Sequence, residues 1–377
     1  MNKTIKILYI TSTLSRTGPT NQLYNLVKYL DRKRFDPHVV TLSEESNQTR
    51  IHDFAKLGVS LHSIALSRLK GIILSRKRLG EIIRSVNPDI IHSQGIRADF
   101  LSSTLTTLPL RFATQHNYPP YDYPLKFGYF LGKLMAFSHI RILKKIPFVI
   151  ACSKSISLLN NRHDLSVDFV QNGVDIEEFP PVSSDIEKIK LRKKLSIESD
   201  DLVFITVGSL IKRKAVDQLI KAYMAAEIPS KKSKLLILGE GPNRSEYQLL
   251  AKHFPNIYFV GQVSNVNDYL SVSDCFVSSS LAEGLPYTVI EAMGTGLPVI
   301  LSDIGSHKEI LEINPLAGET FSVNRIDELT HRLESFNASP VSSEASINIV
   351  NSKLNAQSMS LAYQNAYINN LHCKHER

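Results

Sequence analysis

Short apolar runs alternate with helical segments from the N-terminus onward, and this alternation constrains the fold more than any other feature of the sequence. Asn21–Leu30 carries apolar side chains at helical spacing, and Leu69–Val86 reads as a basic helix. The strand-like runs of the first half are Lys6–Thr11, His38–Leu42, Ser60–Ile64, Asp89–Ser93, Phe112–His116 and Phe148–Ser153. Strands that alternate with helices predict an α/β fold whose parallel sheet is covered on both faces.

The same pattern restarts after a turn-rich stretch, Val170–Pro181, which ends in two prolines. The second set of strand-like runs comprises Leu202–Gly208, Lys234–Gly241, Ile257–Gly261, Cys275–Ser280 and Pro298–Asp303. A chain of 377 residues also exceeds what one hydrophobic core usually supports. The sequence therefore predicts two doubly wound, Rossmann-like domains that face each other across a cleft, with ligands at the carboxyl ends of the strands.

The turn-rich stretch also predicts the domain boundaries. We expect the first domain to cover residues 1–178 and the second to cover residues 179–355. A last helix, over about Ala356–Leu371, is expected to pack back onto the first domain. The polar segment Ser339–Ser346 is expected to form a loop before that helix.

Charge is distributed unevenly along the chain. Residues 1–180 contain about 24 Lys and Arg against 14 Asp and Glu, whereas the remainder contains about 20 against 22. The three cysteines, Cys152, Cys275 and Cys373, are widely spaced, which indicates neither a disulfide framework nor a zinc site and fits a reducing cytoplasm. No stretch approaches the roughly 18 apolar residues of a membrane span. We therefore expect a cytoplasmic or peripheral protein whose first half contacts something anionic.

The stretch Ser278–Ser306 carries the clearest functional signal. A strand ends at its serines, Glu283 follows, and a helix begins near Tyr287 with Glu291 about one turn inside it. A carboxylate in a helix can bind both hydroxyls of a ribose, and free N–H groups at the helix start can bind a diphosphate. Two glutamates at this spacing also arise by chance, but the glycines and prolines around them favour a nucleotide-sugar site.

A basic loop follows the first strand of the second half. Val207–Tyr223 runs from that strand through Arg213 and Lys214 into a helix. Arg suits a two-pronged contact with a phosphate and Lys a point contact. The loop is therefore expected to bind a diphosphate leaving group, the alternative being an ordinary solvated loop.

Ser278–Ser306 resembles the E-x7-E signature of glycosyltransferase family 4, the retaining transferases with a GT-B fold, and the resemblance extends from about Ile5. It implies that Glu291 binds the donor ribose and that Glu283 contacts the donor sugar and stabilises the transition state. This chain has Leu285-Pro286 where many members have Phe-Gly. Because proline has no N–H to donate, the phosphate contacts are expected from Tyr287 and Thr288.

The basic loop is similar to the family's G-R-L-x-x-x-K-G segment. Lys214 keeps its place, while Ser209 stands in the usual Arg position and Ala215 in that of the second Gly. Arg213 resembles an adjacent Arg of some members and is expected to supply the missing charge. The resemblance therefore implies donor contacts from Ser209, Arg213 and Lys214.

Further positions take their roles from the same resemblance. Gly239 and Val263 lie in two post-strand segments that are similar to those lining the base pocket. Gly18 lies in the first strand–helix turn, where family members approach the donor phosphate or the acceptor. His116 matches a strand-end histidine that contacts the donor sugar near the reacting centre, and His92 is the weaker candidate. The Asn172–Asp175 turn matches the hinge between the domains.

The resemblance also implies a mechanism. No Asp-x-Asp motif stands at a strand end with a matching acidic cluster, so no metal and no other cofactor is expected. Arg213, Lys214 and the helix dipole would replace the cation. We expect front-face transfer with retention, from a donor that is UDP-linked because such donors dominate the family.

Two segments point to the acceptor. Ser67–Arg84 is a basic amphipathic helix, and Tyr121–Phe148 mixes Tyr and Phe with Lys and Arg. Core aromatics beside a solvated helix face would give the same pattern. With the basic first half, we expect a glycolipid or oligosaccharide acceptor at the anionic inner face of the cell membrane. The resemblance to family 4 implies a role in bacterial cell-surface polysaccharide synthesis.

Three other functions stay open from the sequence. A sugar-nucleotide epimerase of the GT-B fold would bind the donor but need no acceptor. A nucleic-acid-binding protein could use the basic half, although the chain has no Trp and no zinc or helix-turn-helix pattern. A non-enzymatic relative is the third alternative. The presence of Glu283, Glu291, Lys214 and His116 favours an enzyme over it.

Overall fold

A computed structural model of the protein describes residues 4–46, 49–66, 68–105, 110–182, 184–228 and 232–375, with the side chains of residues 68–73 and 372–375 excepted. The chain divides into two compact units. Unit 1 consists of Met1–Gly173 and Ala356–Arg377, and unit 2 of Val174–Asn355. Within the described ranges, no helix has the length and apolar character needed to cross a membrane.

Unit 1 contains a parallel sheet of seven strands in the order β3-β2-β1-β4-β5-β6-β7. Its strands are β1 (Ile5–Thr11), β2 (Phe35–Thr41), β3 (Ser60–Ser63), β4 (Ile90–Gln94), β5 (Leu110–Gln115), β6 (Phe148–Ala151) and β7 (Asp168–Phe169). Its helices are α1 (Gly18–Lys28), α2 (Ile51–Lys56), α3 (Arg68–Val86), α4 (Ile96–Ser103), α5 (Pro119–Phe127), α6 (Tyr129–Leu143), α7 (Lys154–Asn160) and α16 (Ala356–His375). The strand order reverses between β1 and β4, which makes the sheet doubly wound.

Unit 2 repeats this plan with a parallel sheet of six strands in the order β10-β9-β8-β11-β12-β13. Its strands are β8 (Leu202–Val207), β9 (Ser233–Leu238), β10 (Ile257–Gly261), β11 (Cys275–Ser278), β12 (Val299–Ser302) and β13 (Gly318–Phe321). Its helices are α8 (Asp185–Lys194), α9 (Val216–Ala225), α10 (Arg244–Leu250), α11 (Val266–Val272), α12 (Tyr287–Gly294), α13 (Gly305–Leu311), α14 (Ile326–Glu334) and α15 (Pro340–Ser352). The prediction of two doubly wound α/β domains is confirmed.

The central strands of both sheets are buried because helices cover both faces. In β1, Ile7 and Tyr9 point into one core cluster, whereas Leu8 and Ile10 point into another, so the strand is apolar at consecutive positions. This explains why the strands read as continuous apolar runs in the sequence rather than as alternating ones.

Helix α16 belongs to unit 1, although unit 2 precedes it in the chain. It packs against α1, and the Ser360 hydroxyl donates to the Leu26 carbonyl at 2.8 Å. Met359, Tyr363 and Tyr367 are buried in the same core cluster as the residues of β1. At the junction of unit 2, the Val174 N–H donates to the Leu354 carbonyl at 2.9 Å, so the segments that lead out of and back into unit 1 lie side by side.

The loop predicted over Ser339–Ser346 is wrong, because this segment is the first half of α15. The Ser339 hydroxyl caps the helix by accepting from the Val341 N–H, and Pro340 occupies the first turn, where its missing N–H leaves nothing unpaired. Ala345 and Ile349 are buried. The serines that suggest a loop are helix-capping and small packing residues here.

Candidate active site

The second sheet brings two predicted segments together at one edge. Its strand order reverses between β8 and β11, which are neighbours in the sheet. Parallel neighbours end at the same edge, so the loops after β8 and β11 lie side by side at the switch point, where such sheets bind ligands. Arg213 and Lys214 follow β8, and Glu283 follows β11.

The three charged side chains form one ion-paired cluster. Arg213 Nη1 lies 2.6 Å from Glu283 Oε2, and Lys214 Nζ lies 2.6 Å from Glu283 Oε1. Only 6% of the Glu283 side chain is exposed, against 15% for Arg213 and 16% for Lys214. The Ser280 hydroxyl donates to Glu283 Oε1 at 2.8 Å. The carboxylate is therefore held by three donors in a nearly water-free position.

The cluster retains a positive charge. Burial raises the pKa of the Glu283 carboxyl, but the Arg213 and Lys214 cations together outweigh burial and hold that pKa well below its ordinary value. Glu283 is therefore ionised at neutral pH. Two cations against one carboxylate leave one net positive charge, which suits an anionic ligand.

The main chain of the basic loop is held by the serines that end β11. The Ser279 hydroxyl donates to the Lys214 and Ala215 carbonyls at 3.2 and 2.9 Å, and the Leu281 N–H donates to the Arg213 carbonyl at 2.8 Å. Ala215 has a left-handed φ of 48°. Glycine adopts that conformation more readily than alanine. The left-handed φ is therefore a physical reason for a glycine at this position of the similar family segment, where this chain has Ala215.

The predicted base-pocket turns adjoin the same loop. Gly239 has a φ of 128°, and a Cβ there would lie 1.9 Å from the Gly208 carbonyl oxygen, so only glycine fits. Ser209 is exposed beside Gly208, and Val263 is half-buried after β10. Gly239 and Ser209 therefore lie in adjoining turns at the carboxyl edge of the sheet, while Val263 lies in the loop that follows β10.

Helix α12 starts at Tyr287, as the sequence predicts. Pro286 is its N-cap residue, Tyr287 is buried, and Thr288 is half-buried. Glu291 lies one turn further on, and 7% of it is exposed. Glu283 and Glu291 are thus carried by the loop and the helix that follow the same strand, β11.

In unit 1, His116 directly follows β5, and Gly18 is the first residue of α1, after the loop that follows β1. Burial lowers the pKa of His116 to about 4, so the ring is neutral at pH 7. Its Nε2 is buried and has no hydrogen-bond partner among the described residues. A buried imidazole nitrogen without a partner can bind a substrate hydroxyl.

His92, the weaker candidate, is a core residue. Its Nδ1 lies 2.5 Å from the Tyr367 hydroxyl and its Nε2 lies 2.8 Å from the Thr114 hydroxyl. It has no exposed surface, and burial lowers its pKa to about 3. With both ring nitrogens bonded inside the protein, His92 is a structural residue.

Two family models match the chain. Residues 16–178 match "Glycosyltransferase Family 4", and residues 187–350 match "Glycosyl transferases group 1". The chain belongs to glycosyltransferase family 4. The resemblance read from the sequence is thereby confirmed, and so is the GT-B fold.

Similar sequences and solved structures extend the comparison. UDP-Gal:alpha-D-GlcNAc-diphosphoundecaprenol alpha-1,3-galactosyltransferase of Escherichia coli is 30% identical over 176 residues, 45% of this chain and 44% of that enzyme. Alpha-monoglucosyldiacylglycerol synthase of Acholeplasma laidlawii is 23% identical over 313 residues, 76% of each chain. The crystal structure of Anabaena HepE in complex with UDP and glucose superposes with a TM-score of 0.79, at 16% identity, over 97% of this chain and 100% of that chain. Five curated relatives that are 30–36% identical are matched over 32–45% of their own length.

One residue near the family 4 signature was not predicted. His307, in α13, is fully buried, and its Nδ1 lies 2.8 Å from the Ser302 carbonyl oxygen. The Ser302 hydroxyl donates to the carbonyl of Ser280, whose own hydroxyl donates to Glu283. His307 therefore supports Glu283 indirectly. The signal in the sequence was a histidine five residues beyond the end of a buried strand.

Proposed function

We propose that this family 4 member is a retaining glycosyltransferase that moves a sugar from a UDP-sugar to a membrane-associated glycolipid or polysaccharide acceptor in bacterial cell-surface polysaccharide synthesis. The observation that carries the proposal is the Arg213–Glu283–Lys214 cluster. It combines a fixed carboxylate with a net positive charge at the switch point of a doubly wound sheet.

The chemistry needs no metal in this proposal. The bond between the sugar C1 and the diphosphate oxygen breaks, and a bond from the acceptor oxygen to C1 forms on the same face. The acceptor proton passes to the departing diphosphate. Arg213 and Lys214 neutralise the charge that grows on the diphosphate, and the ionised Glu283 stabilises the positive charge on the sugar ring.

The remaining predicted residues bind the donor. Glu291 accepts hydrogen bonds from the ribose hydroxyls, and Tyr287 and Thr288 at the start of α12 contact the phosphates. His116 offers its unpartnered Nε2 to a sugar hydroxyl. The UDP part of the proposal is supported by the similar fold of HepE, which was crystallised with UDP and glucose, and by the UDP-Gal donor in the name of the Escherichia coli relative.

The acceptor and the location are inferred from chemistry and from relatives. The Escherichia coli relative is named for a diphosphoundecaprenol-linked acceptor and the Acholeplasma laidlawii relative for a diacylglycerol glycolipid. Both names include a lipid. A basic first half suits the anionic inner face of a membrane.

The decisive experiment separates the two glutamates by opposite effects on UDP binding. Glu283→Gln removes the charge that neutralises Arg213 and Lys214, so we expect it to bind UDP more tightly while donor turnover falls by at least about 100-fold. Glu291→Ala loses the ribose contact, so we expect UDP binding to weaken by about tenfold or more. Kd is measured by calorimetry, and turnover as nucleoside diphosphate release with a donor chosen from a thermal-shift panel of UDP-, GDP-, ADP- and TDP-sugars.

Glu319→Gln is the matched control, because 58% of Glu319 is exposed and its partner is Arg332. It should change neither quantity. Weaker UDP binding in Glu283→Gln with unchanged turnover would contradict the proposal. An isomerised sugar nucleotide formed from donor alone, without any dependence on acceptor, would instead identify an epimerase.

A further inference from the structure

Helix α6 of unit 1 exposes a row of large apolar side chains. Phe130 is 86% exposed, Leu134 63% and Phe137 59%. These positions are four and three residues apart, so they lie on one face of the helix. Tyr129 and Leu131 flank this face on its two sides, and 60% and 55% of them are exposed. We call Phe130, Leu134 and Phe137 the apolar row.

The opposite face of α6 packs into the protein, and its buried side chains include the apolar Ile140 and Leu143 near the C-terminal end of the helix. Gly132 and Ala136 are buried, and a Cβ on Gly132 would lie 2.5 Å from the Pro124 main chain of α5. The buried His139 pairs with Asp99 at 2.9 Å and with the Tyr123 hydroxyl at 2.8 Å. A helix on a water-facing surface normally has an apolar inner face and a polar outer face, whereas α6 has large apolar side chains on both. The outer face of α6 is therefore suited to an apolar environment.

Cations flank the apolar row. Lys133 lies 4.1 Å from the centre of the Tyr129 ring, and Arg141 lies 5.0 Å from that of Phe137, so both basic side chains run alongside exposed aromatic rings. Between Asp122 and Asp164 the sequence contains no Asp or Glu, whereas it contains Lys126, Lys133, Arg141, Lys144, Lys145, Lys154 and Arg162. An apolar row with cations beside it complements the anionic headgroups and acyl boundary of a bilayer.

We propose that α6 docks the protein onto an anionic lipid bilayer, with the apolar row in the acyl boundary and Lys133 and Arg141 at the headgroup phosphates. The helix has 15 residues, about 22 Å at 1.5 Å per residue, which is short of the roughly 30 Å hydrocarbon core. It therefore lies in the plane of the interface. Docking goes beyond the proposed transfer, because it requires neither donor nor acceptor.

A second copy of the chain fits this face less well. Two copies that met through the apolar row would bring Lys133 and Arg141 against identical cations, with no carboxylate on the helix to pair with them. Charge complementarity therefore favours a lipid surface over self-association.

Helix α3, which was also predicted to meet the membrane as part of Ser67–Arg84, is a weaker candidate in its described part. Leu79 and Ile83 are buried in the core of unit 1, while Leu74 is partly exposed. Ser67 and the side chains of residues 68–73 lie outside the described residues. From Leu74 onward α3 packs as an ordinary core helix with a basic outer face.

The test is flotation of the full chain with vesicles of phosphatidylethanolamine and phosphatidylglycerol, and with vesicles of phosphatidylcholine alone. We expect binding to the anionic vesicles that declines with salt. The double variant Phe130→Ser/Phe137→Ser should lose at least about tenfold in partition coefficient. Lys133→Glu/Arg141→Glu should lose a similar factor on anionic vesicles only.

Phe169→Ser is the matched control, because Phe169 on β7 is an aromatic of unit 1 that is 45% exposed. It should bind vesicles as the unmodified protein does. All variants should keep the melting temperature and the UDP affinity of the unmodified protein, which separates loss of docking from loss of folding or of donor binding. Unchanged flotation of Phe130→Ser/Phe137→Ser, or no binding of the unmodified protein to anionic vesicles, overturns the proposal. A dimer that only this double variant disrupts, without any effect on flotation, would assign the row to self-association instead.

Discussion

Glu283 is oriented before any substrate arrives. Arg213, Lys214 and Ser280 together provide three donors to its two oxygens. A charge that is already fixed need not reorganise as the reaction proceeds, which is the physical basis of electrostatic catalysis. In the proposed reaction, a donor diphosphate would share Arg213 and Lys214 with this carboxylate.

His307 is expected to act as a positioning residue for Glu283. Its Nδ1 donates to the Ser302 carbonyl, and Ser302 in turn holds the main chain of Ser280. We expect His307→Ala to lower kcat for donor turnover by about tenfold, which corresponds to about 1.4 kcal/mol, with KM nearly unchanged. His307→Asn, whose amide can reproduce the Nδ1 donor, should recover most of the loss.

The comparison for that prediction is Lys308→Ala, an exposed neighbour on the same helix. It should leave both kinetic constants unchanged. If His307→Ala raised KM and left kcat alone, the residue would act on donor binding and not on the orientation of Glu283.

At the residue scale, the sequence predicts which residues belong to the site better than it predicts which of them contact one another. The spacing of Glu283 and Glu291 and the adjacent Arg213 and Lys214 could be read directly. The ion pairs of Arg213 and Lys214 with Glu283 could not be predicted. They depend on β8 and β11 being neighbours in the sheet, although about 70 residues separate the two strands in the chain. His307 was missed for the same reason, since its link to Glu283 passes through two serines on other segments.

At the scale of elements, α16 is the helix whose packing departs most from chain order. Its Tyr363 and Tyr367 hydroxyls join a buried network with Thr114 of β5, His92 of β4 and Tyr9 of β1. The network connects three strands of the first sheet to the last helix of the chain. Unit 1 is therefore complete only when the C-terminal helix is in place.

We expect Tyr367→Ala to destabilise unit 1 by about 3–5 kcal/mol, as for other large aromatic residues truncated in a core. Tyr367 is fully buried, and the change also leaves His92 Nδ1 without its partner. Urea unfolding followed by circular dichroism measures the effect. Leu361→Ala, on the same helix but 57% exposed, should stay within about 0.5 kcal/mol of the unmodified protein. Equal effects of the two substitutions would show that α16 is not part of the core.

Elements with a continuous apolar run were predictable, and weakly patterned ones were not. The strands β1, β8 and β11 lie where their buried runs predict them. The short edge strands β7 and β13 have few buried residues, so the sequence offers no strand signal there. The first half of helix α15, within Ser339–Ser346, was predicted as a loop because its serines obscured the helical spacing of Ala345 and Ile349.

At the scale of the whole molecule, neutral histidines are present in both units. Burial lowers the pKa of His92 to about 3 and that of His116 to about 4 in unit 1. In unit 2, burial lowers the pKa of His307 to about 4, although the negative charge of Glu283 acts to raise it. Each of these rings has an ordinary pKa of about 6.5 in the unfolded chain, so folding releases protons whenever the pH lies between the two values.

The free energy of unfolding should therefore fall as the pH decreases from about 6.5 to about 4, because the unfolded chain binds more protons throughout that window. Each unit of pKa difference contributes about 1.4 kcal/mol, so the total loss should reach several kcal/mol. The depressed pKa of Glu283 acts in the same direction, but only below the ordinary value of 4.5. Urea midpoints measured from pH 7 to pH 4.5 should decline, and His307→Gln should make the slope shallower. His253→Gln, at an exposed position, should leave the slope unchanged. A midpoint independent of pH over this range would mean that these rings are solvated or already protonated in the folded protein.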